Sequence, residues 1–294
     1  MTEHPVPAAP DRLELGDGSR WTGDRLVLVD LDAGRLLTAP AEPGPLTELL
    51  RVDEPLGAVA PVAGHRGRWI AAAGCGVALL GPGGATTWLA RPEEDTQGRS
   101  RMNDGVADPG GRFWAGSAAH DGTPGAGSLY RVDHDLTVHR VLDGVTVAGG
   151  PAFTPDGRLM YLADTAAGLV RRYPVDPDSG ELGVPEPFLT VPADEGGPDG
   201  MTVDREGGLW VALWGGAAVH RYLPDGTLDH ALPLPARQPT SVCLGGADGH
   251  VLHITSATTG LDAPTPEDGA LFTARVPVPG PPTSAFRPSV PLPA

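Results

Sequence analysis

The stretch Gly111-Arg112-Phe113-Trp114-Ala115-Gly116 is one of six similar segments that recur along the chain. In each segment a glycine ends a polar turn and an apolar run follows it, and successive glycines are 44, 44, 46, 50 and 42 residues apart. The six glycines are Gly23, Gly67, Gly111, Gly157, Gly207 and Gly249. A period in the forties that is built from short strands and turns is typical of a β-propeller blade.

Each repeat predicts four strands. A second strand follows the apolar run, as in Gly127-Ser128-Leu129-Tyr130, and a third precedes the glycine, as in Met201-Thr202-Val203. The remaining gaps hold a fourth, as in Thr137-Val138-His139-Arg140-Val141. The sequence therefore predicts an all-β fold, a six-bladed β-propeller with four-stranded blades. The alternative, a pair of β-sandwiches, would not produce six matched units.

The repeat also predicts one domain over residues 1–294, because a blade cannot bury its faces without its neighbours. Residues 1–12 precede the first repeat and are expected to form an N-terminal arm. The proline-rich residues 276–294 are expected to form a last edge strand and a loose tail, with residues 281–294 as the tail.

Charge and composition narrow the class of partner. The net charge of −16 argues against nucleic acid, whose phosphates would be repelled. No run of about 20 apolar residues exists, which argues against a membrane span. The first residues, from Met1, lack a basic region and an apolar core, so no signal peptide is expected and the cytoplasm is the predicted compartment. A small-molecule substrate remains, with the oligomeric state open.

Three further features of composition bear on chemistry. The chain has no lysine, which excludes a lysine Schiff base, and its arginine-rich usage is interpreted as bacterial GC-rich coding. Cys75 and Cys243 lack metal-ligand spacing and are interpreted as buried small hydrophobic residues. No G-x-S-x-G motif is present, so no serine nucleophile is indicated.

The innermost strand of each blade lines the channel, and its first residues point toward the axis at one mouth. Two carboxylates and an amide that converge there would form a hard-oxygen site for Ca²⁺, Mg²⁺ or Mn²⁺. The alternative is that Asp and Asn are merely turn residues before strands. These first residues lie six to ten positions before each repeat glycine, and in the six repeats they are Asp17, Leu56-Gly57, Asn103, Gly149, Asp199 and Thr240.

Other candidates lie near the third repeat. Arg101 precedes Asn103 and could bind a carboxylate or hydroxylated substrate, or form a surface salt bridge, and Asp104 flanks it on the other side. His120 and Asp121 follow the inner-strand run of blade three on a long Gly/Pro loop that could shape a pocket. A lone histidine such as His120 is also common as a solvated loop residue.

Several of these segments together resemble the senescence-marker-protein/gluconolactonase family, which includes regucalcin. The resemblance covers residues 13–280. The segments that carry it are Arg101-Met102-Asn103-Asp104-Gly105, Asp108-Pro109-Gly110-Gly111-Arg112-Phe113-Trp114, Phe153-Thr154-Pro155-Asp156-Gly157, Pro198-Asp199-Gly200-Met201 and Pro239-Thr240.

The resemblance implies a six-bladed propeller with one divalent metal ion at the channel mouth and, in many members, hydrolysis of sugar lactones. It implies that Asp199 is both the catalytic aspartate and a metal ligand. It also implies that Arg101, Asn103 and Asp121 bind substrate. His120 is a further candidate for substrate binding, from its place on the same loop as Asp121. Asn103 is a further candidate metal ligand, from its place in the repeat.

Two positions depart from the family pattern. A metal-ligand glutamate is replaced by Asp17, which is shorter by about one bond length. An amide ligand is replaced by Gly149, which has no side-chain oxygen. The divalent cation (Ca²⁺, Zn²⁺, Mn²⁺ or Mg²⁺) is therefore expected to bind weakly or not at all. Three functions stay open: a lactone hydrolase, a repurposed metal-free enzyme with Asp17 and Asp199 as acid and base, and a non-catalytic binder of small molecules.

Overall fold

Twenty-four strands form six antiparallel sheets of four strands each in the computed structural model, which describes residues 4–40, 42–96 and 98–293. The sheets are the blades of a β-propeller, so the predicted six-bladed, all-β fold is confirmed. The described residues add three short 3-10 turns, Pro82–Gly84, Glu94–Thr96 and Thr165–Ala167. None of these helical segments has the length or apolar character that a membrane crossing requires.

The strands run outward from the channel in each blade. β1 (Val6–Pro7) precedes the repeats. Blade one holds β2 (Gly16–Trp21), β3 (Leu26–Asp30), β4 (Arg35–Ala39) and β5 (Thr47–Arg51). Blade two holds β6 (Leu56–Pro61), β7 (Trp69–Ala73), β8 (Gly76–Leu80) and β9 (Thr86–Ala90). Blade three holds β10 (Ser100–Ala107), β11 (Phe113–Ala119), β12 (Gly127–Val132) and β13 (Val138–Val145). Blade four holds β14 (Ala148–Phe153), β15 (Leu159–Asp164), β16 (Leu169–Pro174) and β17 (Glu186–Thr190). Blade five holds β18 (Gly197–Val203), β19 (Leu209–Trp214), β20 (Ala218–Tyr222) and β21 (Leu228–Pro233). Blade six holds β22 (Pro239–Gly245), β23 (Val251–Ser256) and β24 (Phe272–Arg275), with β1 as its outermost strand.

The ring closes by pairing the two ends of the chain. Strand β1 is the fourth strand of blade six, with Val6 opposite Thr273 and Pro7 opposite Phe272. The expectation that residues 276–294 supply the last edge strand is therefore wrong. The arm fills that place because Pro7 can occupy an outer edge, where no further strand needs its missing N–H group. Residues 1–3 of the predicted arm lie outside the described residues.

The repeat glycines occupy tight turns that need a positive φ. All six have φ between 70° and 97°, a conformation that other residues adopt only with strain. In two blades the same hydrogen bond between a tryptophan and an aspartate side chain spans the turn. Trp114 Nε1 donates to Asp108 Oδ2 at 3.0 Å, and Trp210 Nε1 donates to Asp204 Oδ2 at 3.0 Å. The turn and the start of the following strand are thus fixed by local sequence.

Six apolar clusters fill the spaces between blades, and each combines residues of two neighbours. One joins Val27 of blade one to Val59 of blade two, and another joins Trp114 of blade three to Met160 of blade four. The cluster between blades six and one includes Cys243, which is buried as predicted. Burial of apolar area contributes about 25 cal/mol per Å². No blade can gain that contribution alone.

The C-terminal segment is anchored rather than loose over part of its length. Phe286 is fully buried in the cluster between blades two and three. Its N–H donates to the Pro61 carbonyl at 2.9 Å, and its carbonyl accepts from the Ala63 N–H at 2.8 Å. Thr283 donates through Oγ1 to the Trp21 carbonyl. The tail therefore crosses the channel at the end where the inner strands finish.

Replacement of Phe286 by alanine should lower the free energy of unfolding by about 3 kcal/mol, because it empties a fully buried aromatic site. Denaturant unfolding of both proteins measures this change. Val290→Ala is the matched control in the same tail, since Val290 is 37 % exposed and should change stability by less than about 0.5 kcal/mol. Equal stability of Phe286→Ala and wild type would contradict an anchored tail.

Candidate active site

The starts of the inner strands bring the predicted acidic residues to one mouth of the channel. Asp17 lies on β2, Asn103 on β10 and Asp199 on β18, and they are 4 %, 5 % and 7 % exposed. The carboxylates of Asp17 and Asp199 are close enough that the negative charge of Asp17 raises the pKa of Asp199. Arg101 interacts electrostatically with both and with Asp32. The shared phase in the repeats thus corresponds to proximity in the fold.

Asn103 and Arg101 form a small polar unit. Asn103 Nδ2 donates to the Ala148 carbonyl at 2.9 Å, which fixes the orientation of the amide. Its Oδ1 consequently faces Arg101 and accepts from Nη1 at 2.7 Å. The same Nη1 donates to the Met102 carbonyl at 3.0 Å. Every hydrogen bond described for Arg101 uses Nη1, so Nε and Nη2 are left for a bound oxygen.

A buried ion pair that sequence reasoning missed lies deeper in the channel. Arg20 Nη2 and Asp104 Oδ1 are 3.3 Å apart, and both side chains are at least nine-tenths buried. Arg20 also donates to the carbonyls of Ser19 and Gly105, each at 2.6 Å. Arg20 sits three residues after Asp17 on the same inner strand, which is the one signal that could have pointed to it. The pair adds a third carboxylate to the channel.

Burial controls the ionisation of these carboxylates. Removal from water, with the nearby Asp104 carboxylate as the second cause, raises the pKa of Asp17 to about 7. Burial and then the charges of Asp17 and Asp104 raise the pKa of Asp199 well above its usual range. Burial likewise raises the pKa of Asp104. The mouth can therefore exchange protons near neutral pH, as acid–base catalysis requires.

His120 and Asp121 lie on the rim of this mouth, beyond the start of β10. They lie on the loop after β11, as predicted, but β11 is the second strand of blade three and not the innermost one. Both are exposed. Asp121 Oδ1 accepts from Thr123 N at 2.9 Å and Thr123 Oγ1 at 2.6 Å, and these bonds lower the pKa of Asp121. In the described structure neither side chain bonds to Asp17 or Asp199.

Gly149 faces Asp199 across the boundary between blades four and five. A Cβ atom at Gly149 would lie 3.2 Å from Asp199 Cα and 3.0 Å from Thr165 Oγ1. A positive φ is not the reason for this glycine, since the positive φ of this segment, 83°, belongs to Gly150. Close approach is the reason that the structure supports. Position 149 contributes no oxygen, as the sequence indicated.

The donors at this mouth do not complete a metal site. Among residues 4–40, 42–96 and 98–293, no group of three or more His, Cys, Asp or Glu side chains is placed to hold a metal ion. The oxygen of Asn103 accepts from a guanidinium, and Gly149 has none to offer. The Asp104 carboxylate is paired with Arg20, which leaves the carboxylates of Asp17 and Asp199 as oxygen donors. No step of the chemistry is therefore assigned to a metal ion.

The other mouth of the channel opens into a cavity of about 520 Å³. Its walls are the ends of the inner strands and residues 281–285 of the tail, and it includes Arg20, Met201 and Cys243. The walls are mostly apolar, and none of the predicted site residues lines this cavity. We therefore place the candidate active site at the acidic mouth.

Fold and site together define a propeller protein with a buried acid–base cluster at one end of its channel. The chain belongs to the family described as the SMP-30/Gluconolactonase/LRE-like region, whose model matches residues 15–258. The family resemblance carried by the sequence motifs is thus confirmed.

Individual relatives agree with this assignment. The chain is 34 % identical to the 6-deoxy-6-sulfogluconolactonase of Pseudomonas putida, over 90 % of this chain and 92 % of that protein. It is 36 % identical to the putative sugar lactone lactonase YvrE of Bacillus subtilis, over 60 % of this chain and 62 % of that protein. The solved structure of regucalcin from Agrobacterium tumefaciens, described as a calcium-binding protein, matches with a TM-score of 0.89 and 27 % identity over 97 % of this chain and 98 % of that chain.

The free energy of unfolding should fall as pH rises from about 4 to about 7, because Asp17 has a higher pKa in the folded chain than the value of about 4 in an unfolded one. In that window the unfolded chain loses its Asp17 proton while the folded chain still holds one, so each rise in pH favours the unfolded state. Asp17→Asn should reduce this dependence and leave the part that comes from Asp104 and Asp199, whose pKa values are also raised. Denaturant unfolding across the pH range in chelator-containing buffer measures it, with Asp24→Asn as an exposed control. An unchanged slope in Asp17→Asn would contradict the buried-cluster description.

Proposed function

We propose that this protein hydrolyses a lactone or a related cyclic ester. The observation that carries the proposal is the buried Asp199 carboxylate, which interacts electrostatically with Asp17 and with the Arg101 guanidinium. A carboxyl with a raised pKa is a stronger base than an exposed one once it has lost its proton. The relatives named as lactonases support this reaction class.

The reaction needs one base and one stabiliser of negative charge. Asp199 removes a proton from water while the water oxygen bonds to the lactone carbonyl carbon. Negative charge then develops on the carbonyl oxygen, where Nε or Nη2 of Arg101 can donate to it. The ring C–O bond breaks, and the leaving oxygen takes the proton from Asp199. The product is the open hydroxy acid, and the carboxylate of Asp199 is regenerated.

The other site residues fit substrate binding. Asn103 holds Arg101 in place through the 2.7 Å bond to Nη1, so the guanidinium keeps its direction when substrate arrives. His120 and Asp121 on the exposed rim are positioned for polar groups on the outer part of a substrate. These assignments extend the family resemblance to the residues that this chain retains.

Asp199→Asn should lower kcat/KM by at least about 100-fold, the scale of a lost general base. The fold should not suffer, because the change removes a desolvated charge that Asp17 and Asp104 repel. Lactone hydrolysis assays and thermal unfolding measure the two effects. In the wild type kcat/KM should rise with pH through a pKa above that of an exposed aspartate. Asp194→Asn on the exposed surface is the matched control, and full activity in Asp199→Asn would refute the assignment.

A second candidate is an enzyme that uses Asp17 and Asp199 as acid and base on a natural-product substrate without a metal ion. The incomplete donor set and the pKa of about 7 for Asp17 favour it. Assays against a panel of lactones, with and without chelator, separate it from metal-assisted lactone hydrolysis. Binding without turnover of any compound in such a panel would instead indicate a non-catalytic binder.

We also propose that any divalent cation binds here more weakly than in a protein with a full oxygen set. The Cβ added at position 149 needs Thr165 and Asp199 to shift by a few tenths of an ångström. With that shift, Gly149→Asn combined with Asp17→Glu should tighten Ca²⁺ or Mn²⁺ binding by a factor of tens, equivalent to about 2 kcal/mol. Calorimetric titration measures it. Gly149→Ala with Asp17→Glu is the steric control, since it adds the same crowded Cβ without the amide. Wild-type binding as tight as that of the double variant would contradict the proposal.

The cytoplasm is the compartment that we propose. Cys75 and Cys243 are both free thiols, a state typical of a reducing environment. We further propose that the partner is a small-molecule substrate and not nucleic acid or a membrane, because a net charge of −16 opposes binding to nucleic acid or to an anionic lipid surface.

A further inference from the structure

Thr165 presents a buried hydroxyl beside Asp199 that makes no well-aligned hydrogen bond to any described residue. Among the described residues its Oγ1 is inaccessible to solvent and has no hydrogen-bond partner. A buried hydroxyl left in this state costs about 1–3 kcal/mol. Such an atom calls for an explanation, and catalytic sites are where unpaired polar groups are tolerated.

The backbone around Thr165 is tightly held, so its position is defined. Its N–H donates to the Val147 carbonyl at 3.0 Å. The preceding Asp164 accepts from the N–H groups of Thr146 and Val147 at 3.0 and 3.3 Å. On the other side, a Cβ at Gly197 would lie 2.8 Å from the Thr165 carbonyl oxygen. Thr165 is thus clamped between the start of β14 and the start of β18.

The hydroxyl and Asp199 share one corner with Gly149. The Cβ that Gly149 lacks would lie 3.0 Å from Thr165 Oγ1 and 3.2 Å from Asp199 Cα, between the two residues. The hydroxyl is also near enough to the Asp199 carboxyl to lower its pKa, although it is not in hydrogen-bonding geometry. A side chain at position 149 would crowd the space that Thr165 and Asp199 need to meet.

We propose that Thr165 is a positioning residue, whose hydroxyl donates a hydrogen bond to the Asp199 carboxylate during catalysis, and that position 149 is glycine to leave room for this contact. Catalytic hydrogen bonds are often long in the free protein and shorten when substrate binds. The hydroxyl would hold Asp199 in the direction of the attacking water. This inference rests on the proposed role of Asp199 in hydrolysis.

Thr165→Val keeps the branched shape and removes only the hydroxyl. We expect kcat to fall at least about tenfold, the scale of one hydrogen bond to a charged group, with KM unchanged. The melting temperature should stay the same or rise, because the variant replaces an unpaired buried hydroxyl by a methyl group. Thr165→Ser should restore most of kcat, since it restores the donor.

Thr38→Val is the matched control. Thr38 Oγ1 donates to the Leu26 carbonyl at 2.8 Å in blade one, so its loss should lower the melting temperature and leave kcat unchanged. Gly149→Ala should lower kcat as Thr165→Val does, and the double variant should be no worse than either single one, because both break the same contact. Additive losses in the double variant would overturn the role assigned to Gly149.

Wild-type kcat in Thr165→Val, failure of Thr165→Ser to restore it, or a clear fall in melting temperature for Thr165→Val would overturn the proposal. A wild type that hydrolyses no lactone would remove the proposed function and leave Thr165 still testable. In that case the stabilities of Thr165→Val, Asp199→Asn and their combination, measured at alkaline pH, decide it. Coupling between the two changes supports the contact, and simple additivity overturns it.

Discussion

Apolar packing between neighbouring blades is the interaction on which the rest of this structure depends. Each of the six clusters joins two blades, so every sheet is stabilised by the sheets on both sides of it. The ring closes only if blade six has its fourth strand, and β1 supplies that strand. The rigid ring then fixes where the inner strands begin, and with them the direction of every channel-facing side chain.

That rigidity allows the channel to hold charges that would otherwise avoid one another. Asp17, Asp104 and Asp199 are all buried, against the guanidinium groups of Arg20 and Arg101. Loosely held side chains would turn toward water to relieve this repulsion. Here neighbouring strands hold the carboxylates in place, and their burial and mutual repulsion raise their pKa values. The raised pKa values make the mouth suited to proton transfer.

The residues at positions 149 and 103 both reduce the number of side-chain oxygens that this mouth offers to a cation. Gly149 removes an oxygen from the place where the family resemblance expects an amide, and Asn103 directs its own oxygen to Arg101. Both features are the basis of our proposal that a divalent cation binds weakly here. The groups that remain are the Asp199 carboxylate, the Arg101 guanidinium and the Thr165 hydroxyl. Groups of these kinds can take a proton from water and donate hydrogen bonds to a carbonyl oxygen. Fold and family alone do not fix the substrate, since related propellers share the scaffold.

The sequence by itself determined the repeat, the blade count and the phase that brings Asp17, Asn103 and Asp199 together. It could do so because glycine turns and apolar strands are local features, and a radial ring converts equal phase into proximity. Only the tertiary structure decided the partners of those residues. The Arg20–Asp104 pair, the anchoring of Phe286, the closure by β1 and the contact of Gly149 with Asp199 all join different blades or distant parts of the chain. Contacts of this kind depend on how the blades pack, which local sequence patterns do not show.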